Sequence, residues 1–457
     1  MPAPSTAPNR TLRLRGWVPG TTSARVARLP VTDRKVVLIN VDRDQHQGAL
    51  ASSDSETIAA AAHHALTQRL PLVVVLASSG ADVAEGVSSL HAWGLAALAL
   101  SECSGVVPVI IVAYGLAVSG PALLLGMADL VVMTSEAVAY VSGPAAVAHL
   151  TGLQLEPAEL GGQQIHARTT GVAALLADAP DQALEVVAAV LDYLPDHADE
   201  EPPRWPSADP ANRPTPDLRE VLPTAPTGSY DARIVIAAVA DDGELLELRA
   251  GWAPQLVTAL CRIEGRPVGV VANQPQSMAG TLDIAASQKG ARFVEFCDAF
   301  NVPLLTLVDT PGFMPGKDLE WRGMIRHGAQ LVFAYAEATV PRVCLIMRKA
   351  FGGAYIVMDS KPMGNDLCLA WPSAQIAVMG AQGAVQILHR REDAAAKAQL
   401  VTEYEQTYLN PYVAADRGFV DQVIDPSDTR MSIAAAFRML SSKRERIVPR
   451  KHANGPL

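Results

Sequence analysis

The chemistry this sequence offers lies in its backbone more than in its side chains. Two short stretches, Ala117-Val118-Ser119-Gly120-Pro121 and Ala350-Phe351-Gly352-Gly353-Ala354-Tyr355, place glycine where a strand-like run gives way to a helical one. A strand that turns into a helix at glycine leaves the first helical N–H groups without intrahelical partners. With the helix dipole behind them, those groups suit an oxygen that is acquiring negative charge. The candidate donors are Gly353 and Ala354 in one stretch and Ser119 and Gly120 in the other. A glycine turn that serves only tight helix–strand packing is the alternative, and the motif alone leaves both readings open. The sequence holds no Ser-His-Asp spacing, no paired carboxylates in a shared motif and no metal-ligand cluster. His166 and His389 read as structural partners rather than catalysts.

The elements that must hold these turns recur in two halves. Pro71 opens PLVVVLASSGADVAEG and Pro303 opens PLLTLVDTPGFMPG, and nine positions later a glycine, Gly80 or Gly312, begins a turn. Pro108 opens PVIIVAYGLAVSGPA and Pro341 opens PRVCLIMRKAFGGAY, with Gly120 and Gly353 twelve positions along. AYVSGPAAVAHL from Ala139 matches IAVMGAQGAVQIL from Ile376 more loosely. Several correspondences in one order at nearly constant separation point to a duplicated unit. Short β-branched runs alternating with Ala-rich stretches predict α/β layers.

Length and composition agree with two such units. A chain of 457 residues exceeds what one hydrophobic core organises. Between the halves, 196–230 is dense in Pro, Asp and Glu without apolar periodicity and reads as a linker. This gives domains over 1–195 and 231–457. A net charge of −10 argues against nucleic acid as the main partner. The five cysteines show no CxxC spacing, so neither zinc nor a disulfide framework is signalled. With no signal-peptide run and no membrane span, a soluble cytoplasmic protein is expected.

From Gly265 onward, GRPVGVVANQP, DIAASQKGARFVEFCDAFNVPLLTLVDTPGFMPG, HGAQLVFAYAEATVP, RKAFGGAY, LAWPSAQIAVMGAQGAV and NPYVAADRGFVDQVIDPSDTR closely resemble the carboxyltransferase (β) subunits of propionyl-CoA and acetyl-CoA carboxylases. The first half resembles them more weakly, through SSGADVAEGV, SGVVPV, ELGGQQIHARTTGVA and DYLP. The resemblance implies two tandem crotonase-like (ββα spiral) domains, the first on the CoA side and the second on the carboxybiotin side. It further implies a homohexamer served by a separate biotin carboxylase/biotin carrier α subunit, with biotin as cofactor and a coenzyme A thioester as substrate. In that family carbon dioxide leaves the biotin ureido nitrogen and an acyl-CoA enolate captures it, so two oxygens become anionic and one oxyanion hole per domain makes sense. Which hole serves which oxygen stays open. Gly353 and Ala354 match the family's C-domain pair, while Tyr355, Gly80, Ala81 and Gly312 fall along the implied substrate path. Ile356 stands where family members carry Asp or an aliphatic residue, and it resembles the acetyl-CoA or broad-specificity type.

The first half departs from the family pattern. DSGGAR becomes Ala77-Ser78-Ser79-Gly80-Ala81-Asp82, which loses a carboxylate and an arginine. CAGGA becomes Ala117-Val118-Ser119-Gly120-Pro121, and proline has no N–H to donate. A loop and lysine associated with CoA phosphates become Gln47-Gly48-Ala49-Leu50 and Glu56-Thr57. Three functions follow: an active carboxyltransferase; a diverged decarboxylase or carboxyltransferase for an unusual substrate; or a partner subunit that lends its C-terminal half to another chain.

Overall fold

The computed structural model describes residues 20–225 and 227–456. They form two compact units, one ending at Glu200 and the other beginning at Glu201.

In the first unit the strands are β1 (Thr22–Arg28), β2 (Lys35–Val41), β3 (Leu72–Ser78), β4 (Val109–Val118), β5 (Leu130–Thr134), β6 (Val138–Tyr140) and β7 (Leu175–Ala177). They make one sheet in the order β1-β2-β3-β4-β5-β7, with β6 beside β4. Only β1 runs antiparallel to its neighbour, β2. Parallel neighbours need a crossover, and α1 (Ser52–Gln68) supplies it between β2 and β3, α2 (Val87–Cys103) between β3 and β4. Covered by helices, β3 is buried at every position, which is why LVVVLAS carries no polar alternation. Beyond β4 lie α3 (Gly120–Leu125), α4 (Pro144–Thr151) and α5 (Pro180–Leu191).

The second unit repeats this plan after α6 (Ala232–Val239). Its strands are β8 (Leu245–Leu248), β9 (Leu256–Ile263), β10 (Arg266–Asn273), β11 (Leu304–Thr310), β12 (Arg342–Phe351), β13 (Leu367–Ala370), β14 (Gln375–Ala377) and β15 (Gln422–Val423). The sheet order is β15-β13-β12-β11-β10-β9-β8, with β14 beside β12. Its helices include α7 (Ile284–Ala299), α8 (Met324–Glu337), α9 (Gly352–Val357), α10 (Ala381–Leu388) and α11 (Thr429–Met439).

The duplication holds at the level of single hydrogen bonds. Leu50 N–H donates to Gly80 O at 2.8 Å, and Leu282 N–H donates to Gly312 O at 3.2 Å. Gly80 N–H reaches Ser78 Oγ at 3.3 Å, and Gly312 N–H reaches Thr310 Oγ1 at 3.4 Å. Both units slip register at one place, between Leu76 and Ser78 on β3 and between Val308 and Thr310 on β11. The looser sequence correspondence is structural too: Gly143 caps α4 after β6, and Gly380 caps α10 after β14. Two tandem crotonase-like α/β domains are therefore what the chain folds into.

The Pro-rich stretch between the halves is fixed to the second unit. Its prolines lack the donors for helix or sheet, and its order comes from anchors instead. Trp205 N–H donates to Gly265 O at 2.9 Å, and Leu218 joins the core beside Tyr230. Arg430, wholly buried, binds Asp241 at 2.7 Å and Asp209 at 3.3 Å and also donates to the carbonyls of Pro210 and Val239. Among the described residues, no helix is long and apolar enough to cross a membrane.

Candidate functional site

In the second unit β12 carries three residues, Met347, Arg348 and Lys349, opposite the single Asp309 of β11 before pairing resumes at Thr310 and Ala350. The strand then ends at Phe351, and α9 begins at Gly352, whose φ of 61° lies where L side chains are strained. Gly353 is exposed and Ala354 buried, both in the first turn, where N–H groups lack intrahelical acceptors. A Cβ placed on Gly353 would sit 3.7 Å from the Phe313 ring, so the loop after Gly312 lies beside this turn. Ile356 is 38% exposed on the same short helix. Tyr355 points the other way: it is buried, its hydroxyl has no partner, and burial holds its phenol well above the usual range.

Asp309, 1% exposed, occupies the register slip. Its carboxylate accepts from Lys349 N–H at 3.1 Å and from Arg348 Nε at 2.9 Å. Arg348 also donates to Gly228 O at 2.8 Å and lies 5.4 Å from the centroid of the Tyr230 ring. Burial pushes the Asp309 carboxyl above its ordinary range, and the Arg348 charge opposes the shift.

The first unit builds the same turn from different residues. Ala77 stands alone opposite Tyr114, Gly115 and Leu116. Ser119 has φ 60° and ψ −124°, a conformation that strains any residue with a Cβ. Its N–H donates to Tyr140 O at 3.1 Å, and Pro121 has none. Of the paired donor positions at this turn that leaves Gly120 N–H, in a residue that is itself buried. Gly120 is held under the Trp93 indole, where a Cβ would come within 2.9 Å of the ring. Around Gly80, half-buried Ala81 bridges Leu50, and Asp82 caps the next turn by accepting from Ala84 N–H at 2.9 Å. Gly48 presses against Ala77 O, and no added Cβ would fit there.

His166 has Nε2 2.9 Å from Ala139 O and Nδ1 2.8 Å from Thr170 Oγ1, a structural tie. All five cysteines are buried and free. Among the described residues, no group of His, Cys, Asp or Glu side chains could hold a metal ion. The Gly120 and Gly353 turns thus occupy paired positions of a doubled fold, and residues 30–455 match the family described as "Carboxyl transferase domain".

The chain belongs to the carboxyl transferase domain family.

Relatives place this carboxyltransferase more closely. It is 44% identical over 446 residues to the propionyl-CoA carboxylase beta chain of Saccharopolyspora erythraea, covering 93% of this chain and 82% of that one. It is 39% identical over 412 residues to the methylmalonyl-CoA decarboxylase subunit alpha of Veillonella parvula, covering 90% and 80%. The transcarboxylase 12S crystal structure, described as a hexamer with methylmalonyl-coenzyme A bound, superposes with a TM-score of 0.93 at 39% identity, covering 96% of this chain and 85% of that one. The carboxyltransferase is thus a β-type subunit of the biotin-dependent acyl-CoA carboxylase and transcarboxylase group.

Sequence reasoning reached both turns of the carboxyltransferase but missed the cluster behind one of them. Asp309 and Arg348 sit in motifs already singled out, and their signal was the internal alignment, which sets Asp309 against Ala77 and Arg348 against Gly115.

Proposed function

We propose that the protein transfers a carboxyl group between biotin, borne on a separate carrier protein, and the α-carbon of a short-chain acyl-CoA. The observation that carries this reading is the outward-facing first turn of α9, where Gly353 is exposed beside the Gly312 loop. The N–H groups of Gly353 and Ala354 hold one developing oxyanion, and Gly120 N–H holds the other in the first unit. Aligned, pre-oriented donors of this kind lower a barrier without reorganising during reaction. The second turn fits a ureido oxygen, since Gly353 is exposed and its neighbour is the Phe313 ring rather than a carboxylate. Bound there, biotin supplies the carboxyl group and a basic nitrogen. Ile356, exposed one turn along α9, borders the acyl chain and favours acetyl-CoA or a broad range of short chains. The assembly is a homohexamer working with a biotin carboxylase/carrier α subunit.

One observation favours a second reading, decarboxylation or an unusual acceptor. With Ser119 N–H engaged and Pro121 lacking one, the first turn is a donor short.

The pure protein, mixed with its biotinylated α subunit, is assayed on a panel of acyl-CoAs, with carbon dioxide release from malonyl- and methylmalonyl-CoA followed alongside. Carboxylation of acetyl- or propionyl-CoA is expected. Release without carboxylation selects the second reading, and neither activity overturns both.

A further inference from the structure

We propose that Asp309 is a positioning residue that clamps the bulge of β12 and so aims the Gly353 and Ala354 N–H groups, and that Ala77 leaves the first unit without this clamp. The inference rests on the carboxyltransferase reading for its catalytic consequence, though not for its structural one.

A strand that fits three residues against one of its neighbour must bend and leaves ladder groups unpaired. Within this bulge the Asp309 carboxylate accepts from Lys349 N–H at 3.1 Å. The other carboxylate oxygen binds Arg348 Nε at 2.9 Å, and that guanidinium is tied in turn to Gly228 O. Asp309 is held from behind as well, its own N–H donating to Asn273 Oδ1 at 3.1 Å. Both sides of the bulge are thereby fixed at buried atoms, with Asp309 1% and Arg348 11% exposed as side chains. Lys349 lies four residues before Gly353, so the path of the bulge sets the direction in which the turn leaves the sheet.

The first unit shows what happens without the carboxylate. Ala77 offers a methyl group, and the bulge it faces is propped from outside by Arg43. That side chain reaches Tyr114 O at 3.4 Å and Glu136 at 3.1 Å in a pair whose side chains are 47% and 71% exposed. An exposed ion pair of this kind holds little, and the Tyr114 hydroxyl, which donates to Val41 O at 2.8 Å, carries no charge to the bulge. One turn is therefore pre-set by a buried clamp, and its counterpart is not.

The test is Asp309→Asn in the full-length protein with its α subunit. Asn keeps an acceptor for Lys349 N–H but turns a donor toward Arg348. Amide hydrogen exchange over residues 349–354 should quicken roughly tenfold or more while α7 stays protected. In carboxylation kcat should fall by about tenfold or more with KM within about twofold. The unaltered enzyme should lose kcat on the acid side as Asp309, faced by Arg348, Lys349 and Tyr230, takes up a proton, and the variant should lack that limb. Unchanged exchange and kcat overturn the proposal, and so does a uniform loss of protection across the second unit. Should the Asn protein not fold, Arg348→Lys serves in its place, and unchanged exchange over 349–354 overturns the proposal again. An unaltered protein that carries out no carboxyl transfer sinks the functional reading, while the exchange result still decides the clamp.

Discussion

The Trp93 indole lies so close over Gly120 that the smallest side chain at that position would reach within 2.9 Å of the ring. Gly120 therefore serves two ends, keeping an N–H at the start of α3 and leaving room for the indole. Gly120→Ala should cut carboxylation by at least about tenfold by tilting the first turn of α3. Pairing it with Trp93→Leu should recover part of that loss. Steady-state kinetics on the four proteins of the cycle check this, and independent effects would refute it.

The two units make opposite predictions for proline. Pro121→Ala restores a backbone N–H at the start of α3 and should raise turnover on acetyl- or propionyl-CoA. Ala354→Pro removes one at the start of α9 and should cost about a hundred- to thousandfold in kcat. Proline suits the first helical position, and Ala354 is the third residue of α9 and fully buried, so the melting temperature of each variant is measured alongside. A large thermal shift with Ala354→Pro would assign the loss to folding.

Arg430 and Asp241 should dominate the stability of the second unit. The arginine is fully buried, and Asp241 also accepts from Glu264 and Gly265 N–H at 3.0 and 2.6 Å. Removing Asp241 leaves the buried arginine only Asp209 at 3.3 Å, and breaking a buried pair typically costs about 3–5 kcal/mol. Denaturant unfolding of Asp241→Ala should show a loss of that order, together with release of the 201–230 stretch to proteolysis.

A buried carboxyl gives the pH dependence. Burial pushes Asp359 up to about 6, although Arg342 donates to it at 2.9 Å. Its folded pKa thus lies above the unfolded one, near 4, and the folded state binds the proton more tightly. The contribution of Asp359 to stability is greatest below the unfolded value, declines as pH rises through that window and is constant above about 6. Measured against Asp359→Asn by denaturant unfolding from pH 4 to 7, the parent should lose ground as pH rises. A gap that widens in the parent's favour would contradict this.

Much of this architecture was legible in the sequence because its cause is local. A proline opening a buried run and a glycine at fixed distance after it set β3, β4, β11 and β12 and the turns at Gly80, Gly120, Gly312 and Gly353. What stayed hidden depends on contacts between distant residues. Asp309 reaches Gly228 through Arg348, and the stretch from 201 to 230 is anchored by Arg430, more than two hundred residues after it begins. The missing donor at Pro121 could be read directly. That Ser119 N–H is already spent on Tyr140 could not, because strand pairing decides it.

Each sheet draws all its strands from one uninterrupted length of chain, 22–177 for the first and 245–423 for the second. As the polypeptide leaves the ribosome, the earlier sheet can close before β8 exists. This matters because the two halves offer near-identical strand orders and the same register slip, the setting in which parallel strands from sister domains intermix and trap a nascent chain. Vectorial synthesis separates them in time. Refolding from denaturant exposes both sets of edges at once, so this protein should return to its native form far less efficiently from urea than it emerges from translation.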